Sequence, residues 1–296
     1  MVLGSRILFI GGTRFFGKRI LANLIAIGHD VTILTRGKQP PTNAIKDLDH
    51  IKCNRNDPAA FKNALEGRNF NVVINNACYQ PEDAEQAVKI LSGRCDRYIF
   101  TSSVMCGLNI DTGDARLSQY QPGELDYARN KQACEEIFLN ATGFIPVVFR
   151  LQNVVGEDDF SGKSGLLTQH ILQSCGNLRL VGKACDLYQQ IYPGDLETIY
   201  SLAIDMPLEK ISRCYTIGAA PIAVSDYVAI LADALALNVE LKWTRKSNES
   251  TLHAGVPYPS NVVFDCSALA RDFNFTFSDY TKFLPRIAQW YKAYHS

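Results

Sequence analysis

The first half of the chain alternates between two kinds of segment. Short, largely apolar and β-branched runs come first: Arg6–Ile10, Val31–Leu34, His50–Cys53, Val72–Asn75, Tyr98–Thr101 and Pro146–Phe149. Runs this short that scarcely alternate with polar positions read as strands buried on both faces. Between them lie segments with helical spacing. Ile20, Leu21, Leu24 and Ile25 form one stripe, and Gly28 stands where that helix would stop. Pro81 opens another helix, with Ala84, Ala87, Val88 and Leu91 along one face. A third runs through Ala133, Ile137 and Phe138. Strand and helix in alternation predict an α/β fold: a Rossmann-type doubly wound parallel sheet covered by helices on both faces.

After Arg150 the rhythm loosens. A helix is expected near Leu166–Cys175, strands at Leu178–Val181 and Cys214–Ile217, and a helix at Asp226–Leu235. Lys246–Asn261, rich in Ser, Asn and Pro, reads as loop. A last helix over about 278–293 carries Phe283, Ile287 and Trp290 on one face. The expected division is a nucleotide-binding domain over 1–155 and a smaller C-terminal substrate-binding region over 156–296, with some of its segments returning to the first domain.

Composition narrows the function. The 296 residues carry 30 basic and 30 acidic side chains, so no one-signed field marks a nucleic-acid or membrane surface. Nucleic acid is therefore not the expected partner. No window approaches the ~18 apolar residues of a membrane helix, and Met1–Arg6 is not a secretory leader. The nine cysteines form no CxxC pair and are expected to be reduced, mostly buried thiols of a cytoplasmic protein. The five histidines show no ligand spacing, so no metal is expected. Asp158 and Asp159 read as a solvated loop.

Two motifs carry chemistry. The first strand runs into Gly11-Gly12-Thr13-Arg14-Phe15-Phe16-Gly17 and then a helix. A glycine-rich turn there lets the backbone approach a pyrophosphate at the positive end of the helix. The second motif is Tyr127-Ala128-Arg129-Asn130-Lys131, whose spacing of four puts Tyr127 and Lys131 on one helix face. A tyrosine titrates near 10 and must come down by about 3 pH units, or about 4 kcal/mol, to exchange protons near neutrality. A neighbouring ammonium favours its anion. Ser102 ends the fifth strand, 25 residues before Tyr127.

Together these motifs resemble the extended short-chain dehydrogenases/reductases, the NAD-dependent epimerase/dehydratase family. The resemblance spans most of the chain and is specific in its first half. Gly11 and Gly17 match the first and third glycines of the family loop, and Arg14 stands where the middle glycine would be. GGTRF resembles a divergent branch with epimerase-like proteins and plastid RNA-binding relatives. The resemblance implies hydride transfer, with Ser102, Tyr127 and Lys131 as the catalytic set. It implies cofactor contacts at Gly11, Thr13, Arg14, Phe15, Phe16 and Gly17. It adds Thr35 and Arg36 after the second strand, Asn54 and Arg55 after the third, and Asn75, Asn76 and Ala77 after the fourth. Ser103 and Asn153 are the implied substrate contacts. Thr35 replaces the acidic residue that bonds the ribose of NAD, and Arg36 suits a 2′-phosphate, so NADP is preferred over NAD.

Sugar-nucleotide dehydratases carry an acidic pair just after the serine position, whereas Ser103-Val104 follows Ser102. The expected activity is therefore epimerisation or reduction of a nucleotide sugar or similar small molecule. Leu187–Gln190 lacks the arginine many relatives use for the sugar-nucleotide diphosphate. The alternative is a non-catalytic or RNA-binding protein that retains the fold. Family members often pair through the helices around Glu82–Leu91 and Glu124–Ala141, which points to a homodimer.

Overall fold

The computed structural model describes residues 4–38, 48–108, 110, 117, 118, 120–244 and 260–295. The loop expected over 246–261 lies almost wholly outside the described residues. Two compact units emerge. The first takes in residues 1–151, 196–217 and 266–275; the second takes in 152–195, 218–265 and 276–296.

The first unit is built on β1 (Arg6–Ile10), β2 (Asp30–Thr35), β3 (Asp49–Lys52), β4 (Val72–Asn75), β5 (Arg97–Ser103), β6 (Ile145–Leu151) and β11 (Cys214–Ile217). They form one sheet in the order β11-β6-β5-β4-β1-β2-β3, and every neighbouring pair is parallel. Strand order reverses at β1 and β4, the crevice where such sheets bind ligands. The middle of the sheet is apolar on both faces: Ile7, Leu8, Phe9, Val73, Ile74, Ile99, Phe100, Val147 and Val148 are fully buried. That explains why these strands show no alternation in the sequence.

The helices of this unit are α1 (Phe15–Ala26), α2 (Pro58–Ala64), α3 (Pro81–Leu91), α4 (Pro122–Leu139), α6 (Pro193–Asp205) and α8 (Ser267–Asp272). Pro at the first position and a reciprocal cap set the starts of α3 and α4: Gln80 pairs with Asp83, and Gln121 with Glu124. Arg97, buried at the start of β5, donates to the carbonyls of Ala203, Ile204 and Met206. It thereby satisfies the open C-terminal end of α6.

The second unit holds paired short strands. β7 (Asn153–Val154) runs parallel to β10 (Gln190–Ile191), and β8 (Asn177–Val181) parallel to β13 (Glu240–Thr244). β9 (Leu187–Tyr188) is antiparallel to β12 (Ile222–Ala223). Around them lie α5 (Leu166–Gln173), α7 (Val224–Ala234) and α9 (Tyr280–His295), which share a core of Leu167, Ile171, Leu231, Phe283 and Ile287. The reading of Asp158-Asp159 as solvated is half corrected. Asp158 is exposed, but Asp159 is buried, and its carboxylate accepts from the backbone and hydroxyls of Ser161 and Ser164. All nine cysteines are free thiols, and six of them are buried.

Candidate active site

The C-terminal ends of the parallel strands bring the candidate residues of the first unit to one sheet edge. At the end of β1 the backbone turns through Gly11 (φ +85°) and Gly12 (φ +81°), both in the left-handed region. A side chain at Gly12 would meet the Phe9 ring at 2.8 Å, and one at Gly17 would lie 2.7 Å from the Gly12 backbone. The loop thus folds tightly onto the start of α1. Arg14 sits in ordinary extended backbone (φ −132°, ψ 151°) and is exposed, so a residue with a side chain fits where the family places glycine. Phe15 takes the strain instead, with φ +45°. Its ring packs edge-on against Phe16, with centroids 5.8 Å apart.

The β4 turn closes the other side of this loop. Ala77 Cβ and the Asn76 side chain lie within 4 Å of the space a Cβ on Gly11 would fill. Thr101, buried in β5, organises the turn. Tyr200 on α6 is bonded to its hydroxyl at 2.5 Å, and that hydroxyl donates to Asn76 Oδ1. With its oxygen taken, the Asn76 amide presents Nδ2 near Gly17, buried and without a partner among the described residues. An unpaired buried donor beside a glycine cradle at a helix start fits a dinucleotide pyrophosphate or ribose. Asn75 differs from the sequence expectation. Its Nδ2 donates to Tyr98 at 2.7 Å and its Oδ1 accepts from Ala77 N–H, so both ends of the amide serve the fold.

At the ends of β2 and β3, Arg36, Lys38, Lys52, Cys53 and Asn54 line a recess of about 280 Å³. Gly37, at φ +68°, lets the Lys52 stem pack close to its backbone. The Thr35 hydroxyl turns inward, paired with His50 Nε2 at 2.9 Å and accepting from Gly37 N–H. Arg55 is not part of the recess. Its guanidinium pairs with Asp83 at 3.0 Å, which ties the β3 turn to α3.

On α4, Lys131 is buried and donates to the Thr101 carbonyl at 2.7 Å. Its ammonium lies 4.5 Å from the Phe100 ring centroid, 5.0 Å from that of Tyr79 and 5.9 Å from that of Tyr127. Burial pulls its pKa down to about 8, so it stays cationic at neutral pH. Burial pushes the partly buried Tyr127 hydroxyl up, with neighbouring Tyr79 and Cys106 adding to the effect. The opposing influence is a hydrogen bond from Ser103.

This last contact corrects the sequence expectation for Ser102. Side chains along a strand alternate between faces, so the neighbouring Ser102 and Ser103 leave β5 on opposite sides. The Ser102 hydroxyl is buried and donates to Glu135 Oε1 at 2.5 Å. Glu135, one turn beyond Lys131, also holds Arg150 of β6 through Nε at 3.0 Å and Nη2 at 2.5 Å. Ser103 is the hydroxyl that faces Tyr127. Counting back 25 residues from Tyr127 lands on Ser102, and strand parity distinguishes it from Ser103 only once the register is known. Thr101, Glu135, Arg150 and Tyr79 were not singled out from sequence. Asn153 is exposed on β7 of the second unit. No group of described residues could hold a metal ion, and no described helix is long and apolar enough to cross a membrane.

The chain is similar to known proteins at two levels. Among solved structures, the Bordetella bronchiseptica enzyme WbmG in complex with NAD and UDP superposes with a TM-score of 0.74 at 14% identity, over 98% of this chain and 95% of that one. The Bordetella bronchiseptica enzyme WbmH with NAD+ gives 0.72 at 17% identity, covering 99% and 100%. Thermus thermophilus UDP-glucose 4-epimerase with NAD gives 0.69 at 16%, covering 98% and 99%. At such identities these likenesses show a shared fold. Among curated proteins, the Arabidopsis thaliana chloroplast stem-loop binding protein of 41 kDa b is 32% identical over 119 residues, which is 36% of this chain. The match spans 31% of that relative's length. A family model, NAD dependent epimerase/dehydratase family, matches residues 7–218. The chain belongs to the NAD dependent epimerase/dehydratase family, a family of NAD-dependent enzymes.

Proposed function

We propose that the protein is an NAD(P)-dependent epimerase or reductase that works at a hydroxyl-bearing carbon of a nucleotide sugar or similar small molecule. The convergence of Ser103, Tyr127 and Lys131 at the sheet edge that also carries the glycine loop supports this most strongly. When bound, the nicotinamide supplies a carbon that accepts hydride and can return it. Tyr127 Oη takes the proton of the substrate hydroxyl as its C–H bond breaks, and gives it back in the reverse direction. The Ser103 hydroxyl, which lies beside Tyr127, turns its one proton to the same substrate oxygen. Lys131, fixed by the Thr101 carbonyl, provides the cation that favours the tyrosinate, and loses that charge as pH rises through about 8. With Ser103 in this role, Val104 and Met105 follow it. Neither can donate a proton to a leaving hydroxyl, which favours epimerisation or reduction over dehydration.

The test is incubation with NADP or NAD and a panel of UDP-glucose, UDP-N-acetylglucosamine and dTDP-glucose, read as sugar epimer formed or cofactor reduced. Product from any member supports the reading; a panel extended to simple ketones and alcohols that still gives none opposes it. The partial likeness to a stem-loop binding protein motivates a second reading, RNA binding. RNA affinity that falls steeply with salt, in a protein that binds neither cofactor, would favour it.

NADP is the proposed cofactor. Arg36, Lys38 and Lys52 bring three cations to one recess, suited to the two negative charges of a 2′-phosphate. Arg36→Ala is expected to weaken NADP binding about tenfold, equivalent to about 1.4 kcal/mol, and to leave NAD affinity unchanged. Equal losses for both dinucleotides in a fluorescence titration would remove Arg36 from this role. The free thiols support residence in the reducing cytoplasm. Pairing of two copies through α3 and α4 is also proposed, and a monomer mass by light scattering at micromolar concentration would oppose it.

A further inference from the structure

We propose that Tyr79 is a substrate-contacting residue that sets specificity by stacking on the C–H face of a ring, such as a pyranose, held at Tyr127. This rests on the reading of Tyr127 as the proton carrier. Tyr79 lies on the turn between β4 and α3, and its ring centroid is 6.4 Å from that of Tyr127 at a tilt of 42°. A molecule hydrogen-bonded to Tyr127 Oη therefore lies within reach of the Tyr79 ring.

The two rings differ in how they are held. Lys131 is buried and Tyr127 half-buried, whereas Tyr79 is 48% exposed, with the Lys131 ammonium 5.0 Å from its centroid. An ammonium near a ring draws on its negative face. The rest of that ring is an apolar surface open to an incoming molecule, and C–H edges are attracted to such a surface. Large aromatic side chains that are exposed beside polar reacting groups are typical linings of small-molecule sites.

The turn is also rigid enough to present the ring in one place. Asp83 accepts from the N–H groups of both Tyr79 and Gln80, at 3.3 Å each. Gln80 Oε1 accepts from Asn130 Nδ2 on α4 at 2.9 Å. Cys78, the residue before Tyr79, is buried with its sulfur 3.7 Å from that of Cys134. Contacts on both sides of Tyr79 thus tie its turn to the helix that carries Tyr127, and the ring is fixed before substrate arrives.

The test compares wild type, Tyr79→Ala and Tyr79→Phe, using NADP and the member of the nucleotide-sugar panel on which wild type is most active. Tyr79→Ala is expected to raise KM for the sugar about tenfold, with kcat changed less. The affinity for NADP, titrated separately by fluorescence, is expected to stay within about twofold of wild type. Tyr79→Phe, which keeps the ring, recovers most of the lost KM. An unchanged KM in Tyr79→Ala overturns the proposal. So does a loss of NADP affinity in place of sugar affinity, since Tyr79 would then contact the cofactor. A Tyr79→Phe variant as weak as Tyr79→Ala overturns it too, because the hydroxyl would carry the effect. A wild-type protein that binds no dinucleotide defeats the parent reading, and this one with it; that result is separable because the cofactor titration is made first.

Discussion

Tyr127→Phe is expected to lower turnover by about 10²- to 10⁴-fold, the usual contribution of a positioned acid or base, with cofactor affinity within about twofold of wild type. The substitution removes one oxygen and keeps the ring, so the packing against Tyr79 and the nearby Lys131 ammonium persists. Ser103 loses a hydrogen-bond partner but is only partly buried and can turn to water, so no buried polar group is stranded. KM should therefore move little while kcat collapses, the signature of an interaction made in the transition state. A variant with turnover within about threefold of wild type would show that another group carries the proton. Steady-state kinetics on the most active nucleotide sugar decides between these outcomes.

Glu135→Ala is expected to destabilise the protein by about 3 kcal/mol. The Glu135 side chain is 3% exposed and holds two partners at once, the Ser102 hydroxyl and the Arg150 guanidinium. Its removal leaves Ser102 buried without that acceptor and Arg150 without its counter-charge. Losing one member of a buried pair costs about 3–5 kcal/mol, and Arg150, at 28% exposure, keeps some contact with water, so the lower end applies. Glu135→Gln keeps an acceptor for Ser102 and loses only the charge, and should fall between alanine and wild type. Urea unfolding of the three proteins measures the series. A loss below about 1 kcal/mol for alanine would mean that Arg150 swings out to solvent and that the pair contributes little.

Much of this site was legible in the sequence because local chemistry dictated it. The glycine loop could be placed from its position between a strand and a helix, since only glycine tolerates the backbone at Gly11 and Gly12. Tyr127 and Lys131 share a helix face because four residues make about one turn. Five of the six strands of the first half were visible because burial leaves them almost continuously apolar, whereas β3 at the sheet edge is half-exposed and carries Asp49, His50 and Lys52. The seventh strand, Cys214–Ile217, was visible as a strand, yet its place beside β6 depends on a pairing far apart in sequence.

What the sequence did not reveal depends on where side chains point. Ser102 and Ser103 are chemically identical, and only the strand register turns one toward Glu135 and the other toward Tyr127. Arg55 and Asn75 sit at the strand ends of the candidate site, but their side chains are held by Asp83 and Tyr98. Nothing in the sequence around Tyr79 indicates that α4 passes beside it. In each case a tertiary contact decides the role, and no local pattern encodes it.

The most direct measurement is calorimetric titration of the purified protein with NADP and, separately, with NAD. Saturable binding of one dinucleotide per chain, tighter for NADP than for NAD, is the expected result. No heat and no saturation with either dinucleotide, up to millimolar concentration, would contradict the assignment of the glycine loop, the Asn76 amide and the Arg36 recess to a nicotinamide cofactor.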